Sequence, residues 1–175
     1  MVALTRAELA ARAARVRLLL TDCDGVLTDT GVYYSAQGEE LKRFSIRDGK
    51  GIELLRDAGV ETGIVTGEKS GTVARRAEKL RITKLYLGVN DKQALLERIC
   101  ADAGCEAAEL AYIGDDVNDL GIMRAIEAGQ GLTGAPQDAL PAVKEAAMYV
   151  ADARGGHGAL RAFGDWILRL RQGHA

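Results

Sequence analysis

Four groups of polar residues follow directly on apolar runs in this chain. LLLT, residues 18–21, leads into Asp22 and Asp24, with Asp29 close behind. GIV leads into Thr66 and Gly67. KLYLG precedes Lys92. LAYIG leads into Asp115 and Asp116, with Asn118 and Asp119 next. Strands disfavour Asp, and a buried carboxylate is costly unless it is paired or bound to metal. In an extended chain residues i and i+2 share a face, so Asp22 and Asp24 can look into one site while Cys23 turns to the core. Gly25 then lets the backbone turn sharply. Clustered Asp oxygens with one lysine suit a hard divalent ion such as Mg²⁺, which takes one or two carboxylates together with waters and phosphate oxygens. The ion and Lys92 would offset repulsion among the carboxylates and admit an anionic substrate. An Asp at a strand end is commonly a cap, and Asp91 before KQALLERIC is read as an N-cap. Capping does not explain four polar groups on one rim.

The elements that must position these groups alternate along the chain. Short β-rich runs (RLLLTD, VETGIVT, KLYLG, LAYIG, AAMYVA) are separated by amphipathic stretches near 49–58, 70–81, 91–104, 117–125 and 137–145. That alternation predicts an α/β fold with a parallel sheet flanked by helices, whose ligands gather beyond the carboxyl ends of the strands. GVYYSAQGEELKRFSI interrupts it with two alternating arms around a polar, Gly-containing centre. It is read as a β-hairpin flap over about 30–47. MVALTRAELAARAARVR reads as a first helix with Thr5 and Glu8 as a capping box; its acidic residue argues against a transit peptide. A tail from about 153 opens with the flexible RGGHG and carries an amphipathic helix in which Phe163 and Trp166 are packing residues. No linker or repeat divides residues 1–175, which read as one domain.

Composition narrows the classes. Net charge is −2 and the pI is about 5.8, which leaves no basic surplus for nucleic acid. No apolar run reaches membrane-span length. Three cysteines without metal spacing fit a reducing cytoplasm and no disulfide framework. GQGLTG, residues 129–134, matches a dinucleotide-loop pattern but lacks its acidic partner, and is read as a loop after a strand. His157 is assigned no role.

DCDGVLTD, VTG, Lys92 and GDDVND together resemble the four motifs of the haloacid dehalogenase superfamily of phosphohydrolases, in the right order and across the core of the chain. The resemblance implies a Rossmann-like fold and a role for each residue. Asp22 would be the nucleophile that forms an aspartyl-phosphate. Asp24 would protonate the leaving alcohol and then act as base for water. Thr66 would hydrogen-bond a phosphoryl oxygen, and Lys92 would stabilise negative charge and orient Asp22. Mg²⁺ would bind Asp22, the carbonyl of Asp24, and Asp115. Asp116 would support Lys92 or a metal-bound water, with Asn118 and Asp119 standing behind the ligands. Phosphotransferases and phosphomutases share these motifs. Neither stretch between motifs has room for a cap domain, since the hairpin fills much of the first and the second holds only one helix and one strand.

A capless core, the hairpin, IRDGKGI and RGGHG look like the 3-deoxy-manno-octulosonate 8-phosphate phosphatases and their relatives. That likeness implies a homotetramer joined through the hairpins, with a neighbour helping to cover each site, and a small phosphorylated sugar acid as substrate. The eight-carbon enzymes typically read TGR-x-S where this chain reads TGEKS. Glu68 in place of that Arg, with Lys79 and Arg76 further on, resembles the nonulosonate 9-phosphate phosphatases. The nine-carbon substrate is therefore preferred and the eight-carbon phosphate kept as the alternative. Gly67 and Glu68 are assigned to substrate binding, and Arg76, Lys79 and Arg154 are candidates for the substrate carboxylate. A non-catalytic tetramerising module of the acylneuraminate cytidylyltransferase type is the remaining alternative. Such modules commonly lose motif residues that this chain keeps.

Overall fold

The centre of the molecule is strand β1, Leu18–Thr21, buried along its whole length. It pairs in parallel with β4 (Glu61–Thr66) on one side and β6 (Leu110–Ile113) on the other. A strand covered on both faces must be apolar on both, hence LLL without alternation. Leu19 packs with Ile52, Leu55, Phe163 and Ile167, while Leu18 and Leu20 face Ile99, Ile122, Met123 and Val143. β5 (Lys84–Leu87) extends the sheet beyond β4, and β7 (Leu132–Ala135) and β8 (Tyr149–Val150) extend it beyond β6. The result is a six-stranded parallel sheet in the order β5-β4-β1-β6-β7-β8. This computed structural model describes residues 4–173.

Helices cover both faces: α1 (Arg6–Arg15), α2 (Ile46–Asp57), α3 (Gly71–Leu80), α4 (Leu96–Ala103), α5 (Leu120–Ala128), α6 (Pro141–Ala146) and α7 (Ala159–Arg171). Thr5 and Glu8 form the capping box of α1. None of the helices among the described residues is long and apolar enough to cross a membrane. The hairpin, β2 (Val32–Ser35) and β3 (Gly38–Lys42), stands apart as its own two-stranded sheet.

Three readings of the sequence change. GQGLTG is not a loop after a strand, because its last three residues begin β7, whose four residues are all buried. Its Gly134 is a contact glycine: a Cβ there would lie 2.8 Å from the Phe163 ring. The helix expected from 91 begins only at Leu96, because residues 92–95 form a separate turn. Asp91 receives the Ala94 N–H at 3.0 Å there. The helix expected from 117 starts as a 3-10 turn, Val117–Asp119, before α5.

IRDGKGI is a packing motif in this chain. Asp48 is 1% exposed and accepts the backbone N–H groups of Gly158 and Arg161 at 3.1 and 2.9 Å. It therefore satisfies the first turn of α7, where orphan donors and the helix dipole favour a carboxylate. RGGHG is fastened as well, with Gly156 N–H donating to the Val26 carbonyl at 2.9 Å. Phe163 and Trp166 stack with Tyr149.

Candidate active site

The carboxyl ends of β1, β4 and β6 meet at a cavity of about 310 Å³. Its walls include Asp22, Asp24, Thr66, Gly67, Glu68, Asp115, Asp116 and Asn118, together with Glu39 and Lys42 from the hairpin. Asp22 ends β1 and is 5% exposed. Its Oδ1 accepts the Cys23 N–H at 2.6 Å, and Lys92 Nζ lies 2.9 Å from its Oδ2. Cys23 itself is fully buried in the core, as the i, i+2 alternation requires.

Beneath the cavity floor, Lys92 also donates to Asp119 Oδ1 at 2.7 Å. Tyr112 Oη donates to the same oxygen at 2.6 Å. The other Asp119 oxygen accepts the backbone N–H groups of Asp115 and Asp116 at 2.9 and 3.2 Å. Asp119 thus holds Lys92 from below and shapes the loop that carries Asp115. Asp116, expected to support Lys92 or a metal-bound water, makes no contact with Lys92, and its Oδ1 caps its own turn through Val117 N–H at 2.6 Å. The 3-10 turn rotates Asp119 inward and leaves Asp116, Val117 and Asn118 exposed. Burial alone would depress the Lys92 ammonium, but the Asp22 and Asp119 carboxylates outweigh it and hold its pKa up.

The residues fit a divalent cation. Ligand atoms of Asp22, Asp115 and Asp119 lie within 4.8 Å of one another. The Asp119 oxygens are already engaged, whereas Asp115 Oδ1 is buried without a hydrogen-bond partner. Burial, reinforced by the charges of Asp22 and Asp119, pushes the Asp115 carboxyl up to about 8. Burial and then the Asp119 charge push Asp22 up to about 7 against the pull of Lys92. Two carboxyls this short of positive charge and one free inward oxygen suit Mg²⁺. Gly25 makes the approach possible: it sits at φ +95°, and a Cβ there would lie 1.9 Å from Asp115 Oδ2.

Asp24 does not stand free at the cavity. Both its oxygens accept from Lys42 Nζ at 2.7 Å, and Oδ1 also accepts from Thr28 Oγ1 at 3.2 Å. Lys42 lies 3.5 Å from Glu39 Oε2, and Glu39 Oε1 accepts the Ser70 hydroxyl at the start of α3. Lys42 and Glu39 were missed by sequence reasoning. Strand alternation would put residues three apart on opposite faces, but the pairing of β2 and β3 shifts register between Tyr33 and Tyr34. Both side chains consequently turn to the cavity.

Thr66 is buried at the end of β4, and its Oγ1 accepts the Glu68 N–H at 3.3 Å. The other substrate-binding candidates lie elsewhere in the chain. Arg76 donates to the Ser45 carbonyl at 2.9 Å and covers the Phe44 ring. It is committed to fastening the base of the hairpin to α3. Lys79 lines a different crevice with Glu53, Arg56 and Asp57. Arg154 pairs with Asp138 at 3.4 Å. None of the three lines the cavity of its own chain. His157 Nε2 lies 2.9 Å from Arg43 Nη2, and Arg43 pairs with Asp29 at 2.8 Å, which makes Asp29 a loop fastening.

No protein-family model matches the chain. It is 41% identical over 157 residues to the 3-deoxy-D-manno-octulosonate 8-phosphate phosphatase of Yersinia pestis, covering 90% of this chain and 82% of that protein. It is 38% identical over 167 residues to the enzyme of the same name from Escherichia coli K12, covering 95% and 86%. Among solved structures it resembles the Moraxella catarrhalis phosphatase of that name in complex with magnesium, phosphate and KDO. There the TM-score is 0.87 at 32% identity, with 94% of this chain and 92% of that one covered. The cobalt-bound Haemophilus influenzae enzyme gives 0.86 at 37% identity, with 92% of each chain covered. These relatives bear the eight-carbon name, against the nine-carbon preference. Glu68 lines this cavity and Lys79 a separate crevice, so the two do not meet one ligand within one chain.

Proposed function

The chain belongs to the haloacid dehalogenase superfamily, among the KdsC-type phosphatases, and from that premise we propose that it hydrolyses 3-deoxy-D-manno-octulosonate 8-phosphate with Mg²⁺. The observation that carries the chemistry is Lys92 bridging Asp22 and Asp119 directly below a cavity into which Asp22 and Asp24 both open. The choice of substrate rests on the relatives.

Asp22 attacks phosphorus as the ester P–O bond breaks and the departing alkoxide takes a proton from Asp24. In the second half a water attacks the aspartyl-phosphate, its proton passes to Asp24, and the Asp22–O–P bond breaks to release phosphate. Lys92 orients Asp22 and offsets charge on the transferring group, and Thr66 with the Gly67 backbone bonds its oxygens. Asp22 and Asp115, with the Asp24 carbonyl, would hold Mg²⁺, which supplies Lewis-acid neutralisation of phosphoryl charge.

Among the described residues the cavity walls hold six carboxylates and one cation, Lys42. A cation for the sugar carboxylate therefore comes from outside this chain's own cavity, in keeping with an oligomer. Tyr33, Tyr34 and Leu41 on the hairpin are 65%, 68% and 63% exposed, a surface that suits burial against other copies. Steady-state kcat/KM with the eight-carbon and nine-carbon phosphates tests the substrate. Faster turnover of the eight-carbon ester supports the reading, and the reverse order overturns it.

A further inference from the structure

Lys42 is the one buried residue of β3, on a hairpin that otherwise presents Tyr33, Tyr34 and Leu41 to solvent. Its side chain has no exposure. Burying an ammonium is unfavourable unless it is well paired, and an apolar residue of similar size anchors an element as well or better. An anchoring role alone leaves the choice of lysine unexplained. What the ammonium adds is geometry. It touches both oxygens of Asp24 at 2.7 Å, which fixes the plane and the rotation of that carboxylate. The ammonium is held in turn by Glu39, itself tied to Ser70 at the head of α3. Ser70 follows the segment that carries Thr66 and Gly67, so the chain Ser70–Glu39–Lys42–Asp24 spans the cavity from the β4 side to the β1 side.

We propose that Lys42 is a positioning residue for Asp24 in the second half of the reaction, with the hairpin as the element that delivers it. This rests on the phosphatase reading above. Once the leaving alcohol has taken its proton, Asp24 is an ionised carboxylate, the form that Lys42 grips with two short contacts. In that state it must receive the proton of the water that attacks phosphorus, while the electrons of the Asp22–O–P bond return to Asp22. A base free to rotate would meet that water only part of the time. Lys42 removes the rotation. The hairpin, expected from the sequence as a flap and an oligomer contact, thereby becomes part of the hydrolytic step.

The test is pre-steady-state kinetics on p-nitrophenyl phosphate with Mg²⁺, where the leaving group needs no proton and the first half bypasses Asp24. Lys42→Met is expected to release about one equivalent of p-nitrophenolate per site in a burst at close to the wild-type rate. Turnover then slows by roughly 10²-fold, on the scale of general-base catalysis, as acid-stable phosphoprotein accumulates on Asp22. Lys42→Arg, which can also reach both oxygens, is expected to recover at least tenfold of that loss. Glu39→Gln is expected to show a weaker burst of the same kind, and it supplies the test if Lys42→Met does not fold. Burst and turnover rates that fall together, with no phosphoprotein build-up, overturn the proposal in favour of a structural role. Turnover within about threefold of wild type overturns it as well. A wild-type protein inactive on both p-nitrophenyl phosphate and the sugar-acid ester overturns the phosphatase reading itself.

Discussion

Lys92 and Asp119 face each other 2.7 Å apart with no solvent exposure on either side chain. Asp119 is the better connected of the two. It gathers Lys92, Tyr112 and two backbone donors, so every lone pair it can offer is used. Removing it leaves a buried ammonium with one partner and opens the loop beneath Asp115. Asp119→Ala is expected to cost about 3 kcal/mol or more of folding stability, in the range for breaking a buried pair. Asp116→Ala, which loses only the cap of an exposed turn, is expected to cost about 1 kcal/mol or less. Urea denaturation of the two variants measures the difference, and equal losses would contradict this hierarchy.

The metal-free protein should be sensitive to pH in a direction set by Asp22 and Asp115. Their folded-state values, about 7 and about 8, lie above the ordinary value for an unfolded Asp, about 3.9. The native state therefore binds more protons than the unfolded chain across the intervening range. The stabilisation from these two groups is fully present below about pH 4 and is lost as pH rises through 7 to 8. Mg²⁺ neutralises the same carboxylates, so the rise in Tm on adding Mg²⁺ should grow from pH 5 to pH 8. Thermal melts with Mg²⁺ or EDTA check it, and a rise that shrinks with pH would count against the assigned ligands.

Gly25 is where the backbone makes room for Asp115. Gly25→Ala places a methyl within 1.9 Å of the Asp115 carboxylate at a positive φ, so either the loop or the carboxylate must move. Mg²⁺ affinity is expected to fall by about 10- to 100-fold, the scale seen when the surroundings of a ligand are disturbed. Isothermal titration with Mg²⁺ reads this directly. Unchanged affinity would remove Asp115 from the metal site.

Tyr33 and Leu41 are directly opposed across the hairpin and both exposed. Replacing both with Glu places like charges side by side on that face. Light scattering is expected to show wild type as an oligomer and Tyr33→Glu/Leu41→Glu at a lower mass. A monomeric wild type would refute the reading of the hairpin as an interface.

What the sequence reveals and what it hides divides along physical lines. Asp22, Thr66 and Asp115 sit at strand ends, and alternation with burial makes strand ends visible, so the rim of the site could be read directly. Glu68 misled because a single side-chain identity carried the choice of sugar, against relatives that bear the eight-carbon name over most of the chain. Lys42 and Glu39 were hidden because an irregular register breaks the period that would have placed them together. Asp48 shows the limit of motif reading: IRDGKGI stands out in sequence, yet its carboxylate caps a helix more than a hundred residues away in the chain. The strand in GQGLTG was obscured by glycines whose presence is dictated by Phe163 and Ile126 packed against them.

The central claim is that Asp22 carries the phosphoryl group. Rapid quenching of wild type during turnover with Mg²⁺ and the octulosonate phosphate, followed by borohydride reduction and peptide mass mapping, tests it most directly. An aspartyl-phosphate at Asp22 is reduced to homoserine at that position, so homoserine there is expected in substrate-treated wild type only, with Asp22→Asn showing neither homoserine nor turnover. An active enzyme with no homoserine at position 22, or an Asp22→Asn variant as fast as wild type, would contradict the account.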